Sequence, residues 1–136
     1  MAKSFSLEVI TPTKTFFSDT VESLVITTPI GEIGIMSGHM PLVTCVSIGV
    51  IKIKKDGQWR EAAVSEGFLK IEQDKTIIFV DTAEWPEEID ANRAEEAAER
   101  ARERLQRQLS RVEYANSRAA LQRAMSRLKV KNRGRH

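Results

Sequence analysis

The sequence predicts a body of short β-strands followed by a helical tail, and three observations carry this prediction. Apolar and polar residues alternate between residues 5 and 82, with glycine- or aspartate-containing turns between the segments. The alternation stops at Pro86, after which apolar residues recur at helical spacing. The balance of charge also changes near this point, from acidic to basic. Many short strands favour a sandwich or a barrel over a βαβ sheet.

Two hairpins are the clearest β elements. In residues 49–65 isoleucines alternate with lysines, and Asp56-Gly57 supplies a two-residue turn because both residue types tolerate a positive φ. Residues 68–81 repeat the alternation, with leucine and isoleucine on one face and charged side chains on the other. Two further short strands are predicted at residues 5–11 and 21–29.

The segment "PIGEIGIMSGHMPLV", residues 29–43, carries three glycines, one acid and one histidine. It matches neither of the glycine-rich patterns that cradle phosphate. We therefore predict a tight loop shaped by Gly31, Gly34 and Gly38. His39 has no second ligand candidate nearby in the sequence, so a metal site is not expected here.

The first helix of the tail is predicted to begin after Asp90, whose carboxylate can accept hydrogen bonds from the free amides of the first turn. Ile89 and Ala94 are spaced for a hydrophobic staple across this start. The apolar stripe of this helix comprises Ala94, Ala98, Ala101, Leu105 and Leu109.

A second apolar stripe follows in Ala120, Leu121, Ala124, Met125 and Leu128. Both stripes are narrow and rich in alanine, which allows two helices to lie close together as an antiparallel pair. Ser110, Asn116 and Ser117 are candidates for a break or a cap, but neither glycine nor proline enforces one. The pattern alone therefore allows either a hairpin or a longer helix.

The charge of the chain is divided between its two parts. Residues 1–90 hold eight basic and fourteen acidic side chains, a balance of −6, whereas residues 91–136 hold thirteen basic and five acidic ones, a balance of +8. The formal net charge of +2 hides this division. A basic tail on an acidic body suggests different partners, the tail being suited to anions or to an acidic protein surface.

The sequence also argues against several classes of protein. Cys45 is the only cysteine, which excludes an internal disulfide and a cysteine-based zinc site, and its apolar surroundings predict a buried thiol. No apolar run approaches the roughly 20 residues that span a bilayer, and the N-terminus lacks the apolar core of a signal peptide. No arrangement of nucleophile, base and acid is recognisable. We expect a non-enzymatic chain without a metal site, either cytosolic or peripheral to a larger assembly.

Taken together, three motifs resemble a known family. "GEIGIMSGHMPLVT", the alternating "SEGFLKI" and the "IDANRA" that opens the alanine-rich helix are similar to the epsilon subunit of bacterial and chloroplast F-type ATP synthases, called delta in mitochondria. The resemblance runs from about Phe5 to about Leu128, almost the whole chain. It implies a flattened β-sandwich over residues 1–86 and an antiparallel two-helix hairpin over residues 87–136.

The resemblance implies a place in a proton- or sodium-translocating rotor. The sandwich would dock on the gamma subunit and on the membrane c-ring, with Glu32 and His39 at this contact. The chain would need no cofactor and would associate with the membrane only through the complex. Its location would be the cytoplasmic face of the bacterial plasma membrane, or the stromal face of the thylakoid in a plastid.

The resemblance also implies two states of the hairpin. Extended into the catalytic head of alpha and beta subunits, it would inhibit ATP hydrolysis through contacts of Arg118, Arg123 and Arg127 with an acidic segment of beta. Folded, the hairpin of some members binds ATP as a regulatory ligand. The residues that match this ATP site are Ile89, Asp90, Arg93, Ala94, Arg100, Arg123 and Arg127. Asn116 stands where ATP-binding relatives have a further arginine, and Arg118 is only a nearby substitute.

Two plainer interpretations stand beside these roles. The arginines of the tail are also explained by a solvated helix with charge pairs four residues apart, such as Glu96–Arg100 and Glu103–Arg107, and Asp90 by its cap alone. A nucleic-acid-binding module with a basic tail is the alternative function. It is less favoured because Tyr114 is the only aromatic residue of the tail and glutamates interrupt the positive charge.

Overall fold

The computed structural model describes residues 3–107 and 109–133, and in it two five-stranded sheets pack face to face and precede two helices. This architecture confirms the predicted fold class, and it is a sandwich rather than the alternative barrel. No helix within the described ranges has both the length and the apolar character needed to cross a membrane.

The strands are short, and ten of them lie in the described ranges. In chain order they are β1 (Phe5–Ile10), β2 (Thr15–Val21), β3 (Ser23–Thr28), β4 (Gly31–Met36), β5 (Leu42–Val46), β6 (Gly49–Lys55), β7 (Gln58–Val64), β8 (Gly67–Glu72), β9 (Lys75–Val80) and β10 (Ala83–Glu84). The first sheet has the order β2-β1-β9-β8-β5 and the second the order β10-β7-β6-β3-β4. The paired strands are antiparallel except β1 and β9, which are parallel.

The core lies between the two sheets and follows the alternation that the sequence predicts. Ile51 and Ile53 of β6, like Leu69 of β8, are almost completely buried, whereas the lysines between them reach the surface. Asp56 and Gly57 turn the β6–β7 hairpin with φ values of 52° and 75°, the positive pair that a type I′ turn requires. Both predicted hairpins are confirmed.

The glycine segment differs from its prediction. Instead of one loop it contains the edge strand β4, and Gly34 lies within this strand. Gly31 and Gly38 stand at the two ends of the segment's regular part, with φ of 124° and 84°. The prediction of a glycine-shaped loop is therefore confirmed at Gly31 and Gly38 and is wrong at Gly34, which lies in a strand.

Gly67 gives a first testable prediction, on stability. A Cβ at this position would lie 1.8 Å from the carbonyl oxygen of Phe79 and 2.7 Å from the Cα of Val80, both on the paired strand β9. Because backbone atoms cannot move aside without disturbing the sheet, we expect Gly67→Ala to lower the free energy of unfolding by about 3 kcal/mol. Urea denaturation measures the loss. Gly34→Ala is the control, since its Cβ would meet no atom of the described residues within 4 Å. An equal loss in both variants would contradict the steric explanation.

The tail starts as its sequence predicts. A short 3-10 helix, Pro86–Glu88, leads into α1 (Ala91–Leu105). The Asp90 carboxylate accepts hydrogen bonds from the amides of Asn92 and Arg93 at 3.0 and 3.2 Å, which confirms the cap. The second helix, α2 (Arg111–Arg133), follows a short connection. The Ser110 hydroxyl caps it by accepting from the Glu113 amide at 3.2 Å.

The apolar stripes of the tail are confirmed only in part. Leu109 lies beyond the end of α1, so it does not belong to that helix. Met125 is 44% exposed, whereas Ser117 and Val130, absent from the predicted stripe, are buried. The burial differs from the prediction because α2 packs on two neighbours, α1 and the second sheet. A single predicted stripe accounts for only one of these two contacts.

The two helices form an antiparallel hairpin on the second sheet. A guanidinium nitrogen of Arg102, in the last turn of α1, approaches the Met125 sulfur of α2 at 3.3 Å. α2 packs on β6 and β7, where Ala63, Ile89 and Val130 form a small buried cluster of their own. Within residues 3–107 and 109–133, the extensive contacts with the body come from α2, and α1 is held mainly through α2.

Candidate functional site

A cleft of about 510 Å³ opens where the hairpin meets the end of the body. Its walls come from β10, the 3-10 helix, the first turns of α1 and one residue of α2. Six of the seven residues predicted to bind ATP line it: Ile89, Asp90, Arg93, Ala94, Arg100 and Arg127.

Helical geometry explains why these side chains meet. Arg93 and Arg100 are seven residues apart, so they lie two turns apart on the same side of α1. Arg127 reaches the same cleft from α2 because the helices run antiparallel. Asp90 fixes the start of α1 through its cap and thereby sets the direction in which Arg93 and Arg100 leave the helix.

Arg123, the seventh predicted residue, does not line the cleft. Its guanidinium lies 3.7 Å from the carboxylate of Glu66, which belongs to the connection between β7 and β8. Arg123 and Arg127 share a face of α2, but one turn of helix separates them, and only Arg127 reaches the cleft. The predicted cluster of four arginines is therefore reduced to three here.

Three carboxylates that were not predicted to belong to the site line the same cleft, those of Glu84, Glu88 and Glu96, the last expected only as an ion-pair partner of Arg100. Glu84 accepts from Arg127 Nε at 2.6 Å. Glu88 accepts from the Trp85 amide at 3.0 Å and lies 3.5 Å from the Lys14 ammonium. Helical spacing from Arg93 could have revealed Glu96, whereas Glu84 lies on a two-residue strand that no alternation indicates.

Two arginines of the cleft remain open to an anion. Within the described ranges Arg93 and Arg100 make no ion pair, and both side chains are exposed. A guanidinium keeps its charge and offers a planar pair of donors that matches phosphate or carboxylate oxygens. Asp90, Glu84 and Glu88 already have hydrogen-bonding partners, whereas Glu96 is exposed and forms no ion pair within the described ranges. The groups that attract an anion are therefore these two cations, and Glu96 opposes it.

The arginines predicted to contact beta occupy two different environments. Arg118 is exposed on the first half of α2. Arg123 and Arg127 are held by carboxylates of the body, Glu66 and Glu84. In the folded hairpin, then, most of the predicted inhibitory surface faces the chain's own sandwich.

Glu32 and His39 lie at opposite ends of β4. Glu32 is exposed near the start of the strand, opposite Thr27 of β3. His39 follows the end of the strand, where its Nδ1 lies 2.7 Å from the Met40 carbonyl oxygen. The two residues therefore do not form one local site.

The outer face of the first sheet carries an apolar row, which we term the aromatic stripe: Ile10, Cys45, Phe68 and Phe79. The four residues lie in register across β1, β9, β8 and β5. The two phenylalanine rings stack with centroids 5.1 Å apart, although they remain 50% and 37% exposed. Cys45 is exposed at the edge of this face, so the prediction of a buried thiol is wrong.

Comparison with known proteins supports the resemblance to the F-type ATP synthase subunit. The family model described as the ATP synthase delta/epsilon chain beta-sandwich domain matches residues 4–86, and that of the corresponding long alpha-helix domain matches residues 87–132. The chain belongs to the ATP synthase delta/epsilon family. Delta/epsilon chains are non-catalytic subunits, in agreement with the prediction that the chain is not an enzyme by itself.

Relatives in this family are similar to this chain along most of their length. The ATP synthase epsilon chain of Ruminiclostridium cellulolyticum is 51% identical over 132 residues, which cover 97% of this chain and 98% of the relative. That of Caldicellulosiruptor bescii is 52% identical over 126 residues, covering 93% and 92%. A chain of the Euglena gracilis mitochondrial ATP synthase has the same fold, with a TM-score of 0.80 at 22% identity over 100% of this chain and 83% of that one. These matches favour the subunit interpretation over the nucleic-acid alternative.

Proposed function

We propose that this chain is a central-stalk subunit of an F-type ATP synthase, where its sandwich couples the catalytic head to the c-ring and its hairpin restrains ATP hydrolysis. One observation carries the proposal. The hairpin packs on the second sheet, whereas the aromatic stripe lies on the outer face of the first. The body can therefore stay docked through one face while the hairpin leaves the other.

The aromatic stripe is the surface we assign to gamma. A contiguous exposed aromatic and aliphatic row is typical of the centre of a protein interface. Glu32 and His39, at the two ends of β4, are assigned to the rotor contacts with the c-ring and gamma. The chain would then lie at the cytoplasmic face of the bacterial plasma membrane, held there by the complex.

The inhibitory role rests on how lightly the hairpin is held. The apolar part of its contact with the body is the small cluster of Ala63, Ile89 and Val130, because α1 and its buried alanines are held mainly through α2. Alanine methyl groups bury little apolar area, at about 25 cal/mol per Å². The hairpin therefore leaves the body at modest cost, and Arg118, Arg123 and Arg127 become available to the acidic segment of beta.

ATP is the regulatory ligand we assign to the cleft. Arg93 and Arg100 supply positive charge that no residue of the described ranges neutralises by an ion pair, and Arg127 lies opposite them. Because the cleft needs both helices, ATP would bind the folded hairpin and not the extended one. Such a ligand shifts the balance by RT ln(1 + [L]/Kd), about 2.7 kcal/mol at a hundredfold excess over Kd.

Calorimetry of the full chain tests the nucleotide site. We expect Arg93→Ala to weaken ATP binding by about tenfold or more, since a charge-assisted hydrogen bond contributes roughly 1.5–3 kcal/mol. Asp90→Ala should weaken it less, through loss of the cap. Arg104→Ala is the matched control, because this arginine lies on α1 but outside the cleft. No heat of binding at millimolar ATP with the wild-type chain would rule out the nucleotide site, and equal losses in the Arg93 and Arg104 variants would place it elsewhere.

A further inference from the structure

One face of α2 carries a regular row of contacts with the body. Arg123, Arg127, Val130 and Arg133 follow one another at spacings of four, three and three residues, which places them on the same side of a helix. Val130 is completely buried in the small cluster with Ala63. Around this apolar centre each of the three arginines meets a carboxylate of the sandwich.

The carboxylates come from three neighbouring places on the second sheet. Glu61 and Ala63 are two residues apart on β7 and so share its outer face, and Glu84 pairs with Ala63 from β10. Glu66 follows in the connection that leaves β7. We term Glu61, Glu66 and Glu84 the acidic cradle.

The cradle contacts differ in length and in exposure to water. Arg127 Nε to Glu84 measures 2.6 Å and Arg133 to Glu61 measures 2.8 Å, whereas Arg123 to Glu66 measures 3.7 Å. The first two pairs are the more enclosed, with carboxylates only 27% and 21% exposed. The three contacts together fix both the position and the direction of α2 on the sheet.

We propose that the acidic cradle is an internal substitute for the acidic surface that the hairpin contacts when it inhibits. The inference rests on the proposed inhibitory function, because it needs an acidic partner outside the chain. Arg123 and Arg127 cannot serve the cradle and that partner at once, so docking and inhibition compete for the same guanidinium groups. The charges of the sandwich thereby set how much hairpin is available to inhibit.

The contacts between the acidic cradle and the hairpin are reversible. The second carboxylate oxygen of Glu61 is buried and has no hydrogen-bond partner within residues 3–107 and 109–133. Burying such a group carries a desolvation cost that is relieved when α2 leaves and water returns. The paired arginines remain between a third and a half exposed, so water screens their attraction to the cradle.

Charge reversal in the isolated full chain tests the docking step. We expect Glu61→Lys with Glu66→Lys to speed amide hydrogen exchange in α2 by about tenfold, because two attractions become repulsions. Glu84 is left intact because it lines the cleft. Adding Arg123→Glu and Arg133→Glu restores opposite charges, and exchange should return to near the wild-type rate. Near-UV circular dichroism checks that the sandwich is folded. Unchanged exchange in the double variant, or no recovery in the quadruple variant, would overturn the cradle.

The same two variants, measured in the assembled enzyme, test whether docking on the cradle competes with inhibition. The double variant should lower ATP hydrolysis by about half or more, since its hairpin is freed with its inhibitory arginines intact. The quadruple variant should dock normally but lack Arg123, so hydrolysis should be at or above the wild-type rate. If the double variant hydrolyses ATP like wild type although removal of the hairpin raises hydrolysis, the competition is wrong. If removal of the hairpin changes nothing, the proposed inhibitory function itself has failed, and the exchange measurement still decides whether the cradle holds α2.

Discussion

Removal of the hairpin is expected to raise ATP hydrolysis by the assembled enzyme on the order of threefold, because the inhibiting state can no longer be populated. The cut belongs after Glu88. Trp85 stacks on Phe16 with centroids 4.5 Å apart, and the Arg60 guanidinium lies 3.8 Å from the centre of the Trp85 ring. A shorter fragment would lose the Trp85 contacts with the sandwich. A change in hydrolysis could then come from misfolding rather than from loss of inhibition.

Charge reversal separates the effect of the arginine charges on hydrolysis from the effect of the hairpin's presence. Replacing Arg118, Arg123 and Arg127 by glutamate should also raise hydrolysis, since the contact with acidic beta would become repulsive. The matched control reverses three arginines of α1 and its end, Arg102, Arg104 and Arg107, and should have the smaller effect. Hydrolysis at the wild-type rate in both the truncated and the α2-reversed enzyme would remove the inhibitory role.

Phe68→Asp is expected to weaken assembly of the chain into the stalk by about a hundredfold, the effect of losing a central aromatic anchor of an interface. The side chain is 50% exposed on the first sheet, so the core should survive its replacement. Binding is measured by titrating the chain onto a head-and-stalk complex prepared without it.

Trp59 provides the control for this experiment. It is also 50% exposed but lies on β7 of the second sheet, away from the aromatic stripe. Trp59→Asp should therefore bind almost as wild type. The opposite ranking, with Trp59→Asp impaired and Phe68→Asp normal, would move the gamma contact to the other face of the sandwich.

Local features of the fold could be predicted from the sequence because neighbours along the chain determine them. The alternation around Ile51, the Asp56-Gly57 turn and the Asp90 cap each depend on a few adjacent residues, and all three are present. Cys45 shows the limit of this reasoning. An apolar run indicates burial, but whether the outer face of a strand is covered depends on what packs there, and the first sheet leaves that face open.

The candidate site was predictable to the extent that it follows the helical repeat. Spacing along α1 brings Arg93 and Arg100 to one side, and the cleft indeed contains both. The position of Arg123 depends on how α2 is rotated on the sheet, which its sequence period does not specify. The carboxylate of Glu84 enters only through β10, whose two residues are too few to produce a recognisable pattern.

The parallel pairing of β1 with β9 has a consequence for the order in which the chain folds. β1 lies between β2 and β9, so the first sheet cannot close until residue 80 has been synthesised. Such distant pairing makes folding slow, because the chain loses the entropy of a long loop before the contact forms. The helices follow in the sequence and need a finished second sheet as their support. We therefore expect the helices to dock after the sandwich has closed, so that a newly made chain carries a free basic tail until then.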